Sequence, residues 1–369
     1  MNQSQSVCIL NRPLLTGGVR YVVVFRDTLL SLVAFVCFVA VARMGVSQEL
    51  AATVPPSAEA GEILTGELVL VVGAAGTEEF GKSFSEWAGR WGEVAKQSGL
   101  KFVPIGTGES QGSGTDRDVL GKALASAGEQ TETPLWLVLI GHGTYARDVA
   151  KFNLRGPDVS GAELAKWLAA VERPTVIVNC ASASGPFVNR LSGPNRIVVT
   201  ATRSGIEQNY SRFGEYISKA IGSSESDLDH DGEVSIHEAF LRASAGVRMF
   251  YDSEDRIATE HSLIDDNGDG KGTPATMFRG VRPNAKAKDG LALDGAAALR
   301  VTVAPAGGRL PFTPEELAER ATIENEIEVL RGKVGQLDQR TLDTALLPLM
   351  LRLARIYQAG QQRAEAVEE

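Results

Sequence analysis

The sequence predicts an α/β fold, a doubly wound and mostly parallel sheet with helices on both faces, followed by an acidic-loop region and a C-terminal helical hairpin. Short, continuous apolar runs recur at Leu68-Val69-Leu70-Val71-Val72, Leu135-Trp136-Leu137-Val138-Leu139-Ile140, Thr175-Val176-Ile177-Val178 and Arg196-Ile197-Val198-Val199-Thr200. Runs without polar alternation are those of strands buried on both faces. Helix-length amphipathic segments separate them, which is the β-α-β alternation of a parallel sheet.

Residues 1–42 read as a signal peptide or an N-terminal anchor. Arg12, Arg20 and Arg26 precede an apolar core over 29–41, and Ala40-Val41-Ala42 supplies small residues suited to cleavage. The core is shorter than the ~20 residues of a spanning helix. Export to a periplasmic, cell-surface or secreted location is the expectation, with membrane attachment through this segment only. Cleavage there leaves one of the three cysteines, Cys180, so no disulfide framework is expected. A Pro/Ala/Glu linker over 43–62 leads into the α/β domain, placed at 63–225.

In that domain Phe80, Phe84, Trp87, Trp91 and Val94 step 4-3-4-3 along one helix face, a stripe suited to packing on the sheet. Pro104 marks the next run as an edge strand. Thr115 caps a second helix. Ser160 and Glu163 form a capping box for a third, carried on by Leu164, Trp167, Leu168 and Val171. Gly108-Glu109-Ser110-Gln111-Gly112 fits G-x-S-x-G, but no strand runs directly into the serine, so a loop is expected.

The chemistry sits where two runs stop. One ends at Gly141-His142-Gly143 and the other at Asn179-Cys180-Ala181-Ser182. Parallel sheets bind ligands beyond their carboxyl ends, so His142 and Cys180 are expected at one rim as a Cys–His dyad. In this order and spacing the two motifs resemble the caspase–legumain clan of cysteine peptidases over roughly 68–221. Thr200-Ala201-Thr202-Arg203-Ser204-Gly205 fits that resemblance, and Phe152-Asn153-Leu154 with Asp158 resembles the legumain branch. It implies a cysteine endopeptidase with Cys180 as nucleophile and His142 as acid/base, acting on a protein or peptide. The N–H groups of Gly143 and Cys180 would face the oxyanion. Val178 and Asn179 depart from the usual residues before the cysteine, so neither family's cleavage preference carries over.

Region 226–282 opens with a twelve-residue loop of Asp227, Asp229, Asp231, Glu233, Ser235 and Glu238 at positions 1, 3, 5, 7, 9 and 12, with Gly232 at 6. Hard oxygens in that register form an EF-hand loop for Ca²⁺, Glu233 giving its backbone carbonyl. His230 and His237 fall between ligands and are expected to face solvent. A second such beginning, Asp265, Asn267 and Asp269, lacks a carboxylate at position 12, where Thr276 stands, so it needs outside donors or is an Asx turn.

Residues 283–369 read as a linker and a helical hairpin. Thr313, Pro314 and Glu316 start the first helix, Ile323, Ile327, Leu330 and Val334 form its stripe, and a second helix covers about 342–357. The hairpin is expected to pack on the domain or self-associate. A net charge of −9 without a basic block excludes a nucleic-acid partner. Two functions follow: the endopeptidase, or a non-catalytic, calcium-stabilised interaction module on the same fold.

Overall fold

A computed structural model describes residues 66–108, 114–128, 133–229, 231–284, 293–305, 312–331 and 338–368. The leader, Ser110 and His230 lie outside them. From the amino end come β1 (Gly66–Val72), α1 (Glu78–Gln97), β2 (Leu100–Ile105), α2 (Asp116–Ala127) and β3 (Leu135–Ile140). A small antiparallel sheet of β4 (Gly143–Ala146), β5 (Val149–Phe152) and β6 (Val159–Ser160) follows. Then come α3 (Gly161–Leu168), β7 (Thr175–Asn179), α4 (Val188–Leu191), β8 (Arg196–Thr200) and α5 (Phe213–Ala220). Beyond these lie β9 (Glu233–Ser235), α6 (Ile236–Ser253), β10 (Leu263–Asp265), β11 (Thr273–Pro274), β12 (Phe278–Arg279), β13 (Arg282–Pro283) and β14 (Thr302–Pro305). The chain closes with α7 (Pro314–Arg331) and α8 (Gln339–Glu368).

The central sheet has seven strands in the order β11-β10-β8-β7-β3-β1-β2. The five from β2 to β8 are parallel, while β10 and β11 are antiparallel. Alternate residues of each strand feed opposite cores. Leu68, Leu70, Trp136, Val138, Val176 and Val178 join the core under α1, α5 and α6. Val69, Val71, Leu137, Leu139 and Ile177 join the one under α2, α3 and α4. The fold class is therefore as the apolar runs predict. Each fully buried Leu or Val stabilises it by about 1.5–3 kcal/mol relative to exposure.

The capping signals are obeyed. Thr115 with Asp118 and Ser160 with Glu163 close reciprocal boxes. β2 lies at the edge, with Pro104 in it. Three features differ from the sequence reading. The segment after His142 forms the β4–β6 sheet, α3 stops at Leu168, and the sheet does not end near residue 225. β10 and β11 come from the acidic-loop region and extend it, because apolar Leu263 and Ile264 pair with Thr200 and Val199. In the hairpin, Ile323 and Ile327 of α7 pack with Leu349 and Ile356 of α8, and Pro348 lies inside the longer α8. Among the described residues no helix is long and apolar enough to cross a membrane.

Candidate active site and acidic loops

Strands β3 and β7 are in parallel register with Leu139 opposite Asn179, so their carboxyl ends are level. Counting by twos, His142 continues the face of Val138 and Ile140, and Cys180 that of Val176 and Val178. That face is the one α1 covers, and the aromatic stripe meets the imidazole there. Phe80 and Phe84 present their rings edge-on at 4.9 and 5.2 Å, and Tyr210 lies at 6.1 Å. His142 and Cys180 thus stand at one rim and on one face.

The imidazole is oriented by a backbone group. His142 Nε2 lies 3.1 Å from the carbonyl oxygen of Ala75, just past the end of β1. A carbonyl only accepts, so Nε2 carries a hydrogen, and in the uncharged form of the ring the lone pair is then on Nδ1. A base fixed by a third group is the arrangement of nucleophilic triads. The main chain of His142 is held as well, its carbonyl accepting from Asn153 N–H at 3.0 Å.

The sulfur is covered. Cys180 is 1 % exposed, and α5 begins directly over it. A Cβ on Gly214 would lie 2.5 Å from the Trp87 ring and 3.0 Å from Cys180 Cβ, so glycine is what permits this approach. Burial first, and Glu260 second, push the thiol well above its ordinary range. At neutral pH it is protonated, where the sequence reading asked for a depressed thiol beside a positive group. Among the described residues no hydrogen bond joins it to His142.

The two expected oxyanion donors are engaged. Cys180 N–H donates to Leu139 O at 2.9 Å. Gly143 N–H donates to Ser182 Oγ at 3.2 Å, and that hydroxyl donates back to Gly143 O at 3.1 Å. A Cβ on Gly143 would meet Ser182 O at 2.1 Å, so its glycine serves a close backbone crossing. Beyond the cysteine, Ala183 adopts φ 55°, a left-handed conformation costing roughly 1–2 kcal/mol in a residue with a Cβ. Asn179 Oδ1 accepts from Ala181 N–H at 3.1 Å, and its buried Nδ2 has no partner among the described residues.

Two carboxylates that the sequence did not single out hold the cover down. Glu260 is buried and accepts from Ser211 Oγ at 2.7 Å, Arg212 N–H at 2.9 Å, Phe213 N–H at 3.1 Å and Tyr251 O–H at 3.3 Å. It thereby caps the start of α5 above Cys180. Glu207 pairs with His261 Nδ1 at 2.7 Å and Arg203 Nε at 3.1 Å, while its backbone carbonyl takes Ala183 N–H at 2.7 Å. Residues 203–213 are pinned across the dyad from the strand entering β10.

In the first acidic loop, ligand atoms of Asp227, Asp229 and Asp231 come within 4.8 Å of one another. Burial and the charge of Asp229 push Asp231 up to about 7. Glu238 Oε1 accepts from Leu228 and Asp229 N–H at 2.7 and 3.3 Å, and Oε2 from Ser235 Oγ at 2.8 Å. Gly232 turns at φ 86°, and Glu233 N–H bonds Asp231 Oδ1 at 2.8 Å. The donor set fits Ca²⁺, with Asp227, Asp229, Asp231, Glu238 and the Glu233 carbonyl as holders and Ser235 at position 9. α6 exits the loop, and no α-helix enters it directly.

One expectation is overturned here. His237 is fully buried rather than solvent-facing. It packs against Phe278 at 4.6 Å, its Nε2 reaches Val281 O at 3.2 Å, and burial lowers it to about 4. From α7, Arg320 Nη2 reaches Glu233 at 2.8 Å and Asp231 at 3.3 Å. In the second acidic loop Asp265 is buried at the end of β10, and Asn267 and Asp269 are exposed.

No family model matches the chain, and no curated protein matches it. Among solved structures it is similar to the Drosophila initiator caspase Dronc, at 14% identity and TM-score 0.38, over 56% of this chain and 81% of that one. It is also similar to caspase-1 from Spodoptera frugiperda, at 12% identity and TM-score 0.38, over 62% and 94%. A third similarity, to drICE, has 12% identity and TM-score 0.33, over 56% and 88%.

Proposed function

We propose that the chain is an exported, calcium-binding cysteine endopeptidase of caspase/legumain-like type whose dyad is closed in this conformation. The carrying observation is that His142 and Cys180 share one rim and one face, with the imidazole already oriented by Ala75 O. Once residues 203–213 move aside, Sγ attacks the scissile carbonyl carbon and its proton passes to Nδ1 of His142. That proton then goes to the leaving amine, and water, deprotonated by the same nitrogen, releases the acyl group from sulfur. Ca²⁺ at 227–238 supplies charge neutralisation that orders the loop and α6, with no part in the bond-breaking step. Export rests on the leader-like sequence of residues 1–42.

A second reading has its own support: the covered, protonated thiol and the two engaged N–H groups suit a non-catalytic, calcium-stabilised module. Turnover of a mixed peptide library in calcium, wild type against Cys180→Ala, separates the two. Cleavage lost in the variant supports the peptidase. Absence of any cysteine-dependent cleavage supports the module.

A further inference from the structure

The geometry points to a second divalent-cation site in the 265–276 loop, with Asp294, from outside the loop, acting as its missing twelfth-position carboxylate. The two loops can be compared bond by bond. In the first, Glu238 at position 12 accepts from the N–H groups of positions 2 and 3 at 2.7 and 3.3 Å and from the hydroxyl of position 9. In the second, Asp294 accepts from positions 2 and 3, Asp266 and Asn267, at 2.9 and 3.3 Å. Its other oxygen accepts from the hydroxyl of position 9, Thr273. Three of the four bonds that seat the first loop's twelfth-position carboxylate recur on a residue borrowed from another segment; the fourth, from Ser235 N–H at 2.9 Å, does not.

Two further features match, while the N–H groups of positions 5 and 6 go to Asn267 Oδ1 and Ser192 Oγ here rather than to position 1. Lys271 N–H at position 7 bonds Asp269 Oδ1 at position 5 at 2.7 Å, as Glu233 bonds Asp231 in the first loop at 2.8 Å. Gly270 at position 6 has φ 74°, against 86° for Gly232. An independent observation calls for a ligand. Asp265 at position 1 is 0 % exposed, and its Oδ2 accepts no hydrogen bond of ordinary geometry among the described residues; Gly270 N–H lies near enough to act on the carboxylate but donates to Ser192 Oγ at 3.0 Å. Its Oδ1 is held by Ser192 Oγ at 3.0 Å and Gly268 N–H at 3.2 Å, which fixes the carboxylate's orientation. A buried, unbonded carboxylate oxygen costs several kcal/mol by order of magnitude, and a hard cation with oxygen ligands removes that cost.

Asp266 positions the borrowed residue. Its Oδ1 takes Gly295 N–H at 2.9 Å and its Oδ2 takes Ala298 N–H at 2.7 Å, which ties 294–298 to the loop. The same segment continues into β14, which pairs with β9 of the first loop. Gly295 also lies against His237, where a Cβ would come within 3.0 Å of the ring. One stretch of chain therefore links the two sites. The inference does not depend on the dyad or on peptidase activity.

Native mass spectrometry of the full chain with CaCl₂ as the probe counts the ions directly. Two per chain are expected for wild type, one for Asp294→Asn, one for Glu238→Gln and none for the double variant. Glu238→Gln reports on the first loop alone, so failure there is distinguishable from failure here. Should Asp294→Asn not fold by circular dichroism, Asp269→Ala, at an exposed position, carries the same test and is expected to lose one ion. An ion count unchanged by the folded Asp294→Asn or Asp269→Ala overturns the proposal, as does a wild type that binds no ion or binds a single ion that Glu238→Gln removes.

Discussion

The dyad rim and the acidic loops both gather carboxylates, and they treat them in opposite ways. At the rim, Glu260 is surrounded by donors, Ser211 Oγ, the N–H groups of Arg212 and Phe213 and Tyr251 O–H, so the protein itself satisfies it. In the loops, Asp227, Asp229 and Asp231 bring oxygens toward one another, and Asp265 keeps an oxygen with no donor among the described residues. The difference teaches how to tell a structural carboxylate from an ion ligand. Enclosure by N–H and O–H groups does not by itself separate the two, since Glu238 and Asp294 accept such bonds as Glu260 does. What marks a proposed cation site is oxygens that converge or lack a donor, as at Asp227, Asp229 and Asp231 and at Asp265.

The sharpest break of that contrast is Glu260→Ala. It strands the donors of residues 211–213, at about 1–3 kcal/mol each, so chemical denaturation should show a loss of about 3 kcal/mol or more in EDTA and in calcium alike. A calcium-dependent loss would make Glu260 part of an ion site and undo the distinction. Asp229→Ala should do the reverse. In EDTA its stability matches or exceeds wild type, because a repelling charge is gone, and in calcium it forfeits the ion's contribution, about 2.7 kcal/mol at a hundred times Kd.

Alkylation reads the same cover from beneath. With the thiol buried and protonated, iodoacetamide at pH 7 should modify native Cys180 at least about 100-fold more slowly than the urea-unfolded chain. Rapid stoichiometric labelling at pH 6 would mean that residues 203–213 are already open.

The pH dependence of Glu260 is subtler. Burial raises its pKa above the ordinary 4.5, against the lowering effect of its hydrogen bonds. Cys180, Tyr251, Thr259 and the cation of Arg212 face or adjoin this carboxyl. Since the folded value is raised, the group's contribution is fully present below the unfolded pKa and declines as pH rises through the folded one. Stability of wild type should slope downward from about pH 4.5 toward neutrality relative to Glu260→Gln. Equal slopes in a urea titration series would remove this assignment.

The smallest effect belongs to Arg320, whose guanidinium shares the Asp231 carboxylate with any bound ion and also pairs with the Glu233 carboxylate. Arg320→Ala should tighten calcium binding at the first loop by roughly two- to fivefold in calorimetry, the size of a partly exposed pair. Weaker binding would mean that the arginine orders the ligands rather than competing.

Much of this molecule is readable residue by residue. The five parallel strands follow from their apolar runs, and Thr115 and Ser160 announce their helices through reciprocal caps. The first acidic loop is legible because its ligands lie within twelve consecutive residues. The rim positions of His142 and Cys180 were legible for the same reason, each closing its own strand. Other features had no local signal. The orienting partner of His142 is a carbonyl, which every residue possesses, so Ala75 carries no mark. His237 looked solvent-facing from its place between ligands, and became buried because Phe278 and the 294–298 segment close over it.

Contiguous patterns decided the strands, the helix starts, the two rim residues and the acidic register of the first loop, since period, capping and ligand spacing all act over a dozen residues or fewer. Only the tertiary structure decided that Glu260 would clamp α5 over the sulfur and that Asp294 would complete a loop lacking its own carboxylate. Both depend on chain segments that meet through the pairing of β10 with β8 and of β14 with β9. Hydrogen bonds and desolvation act through distances in space, and those distances exist only after the chain has folded.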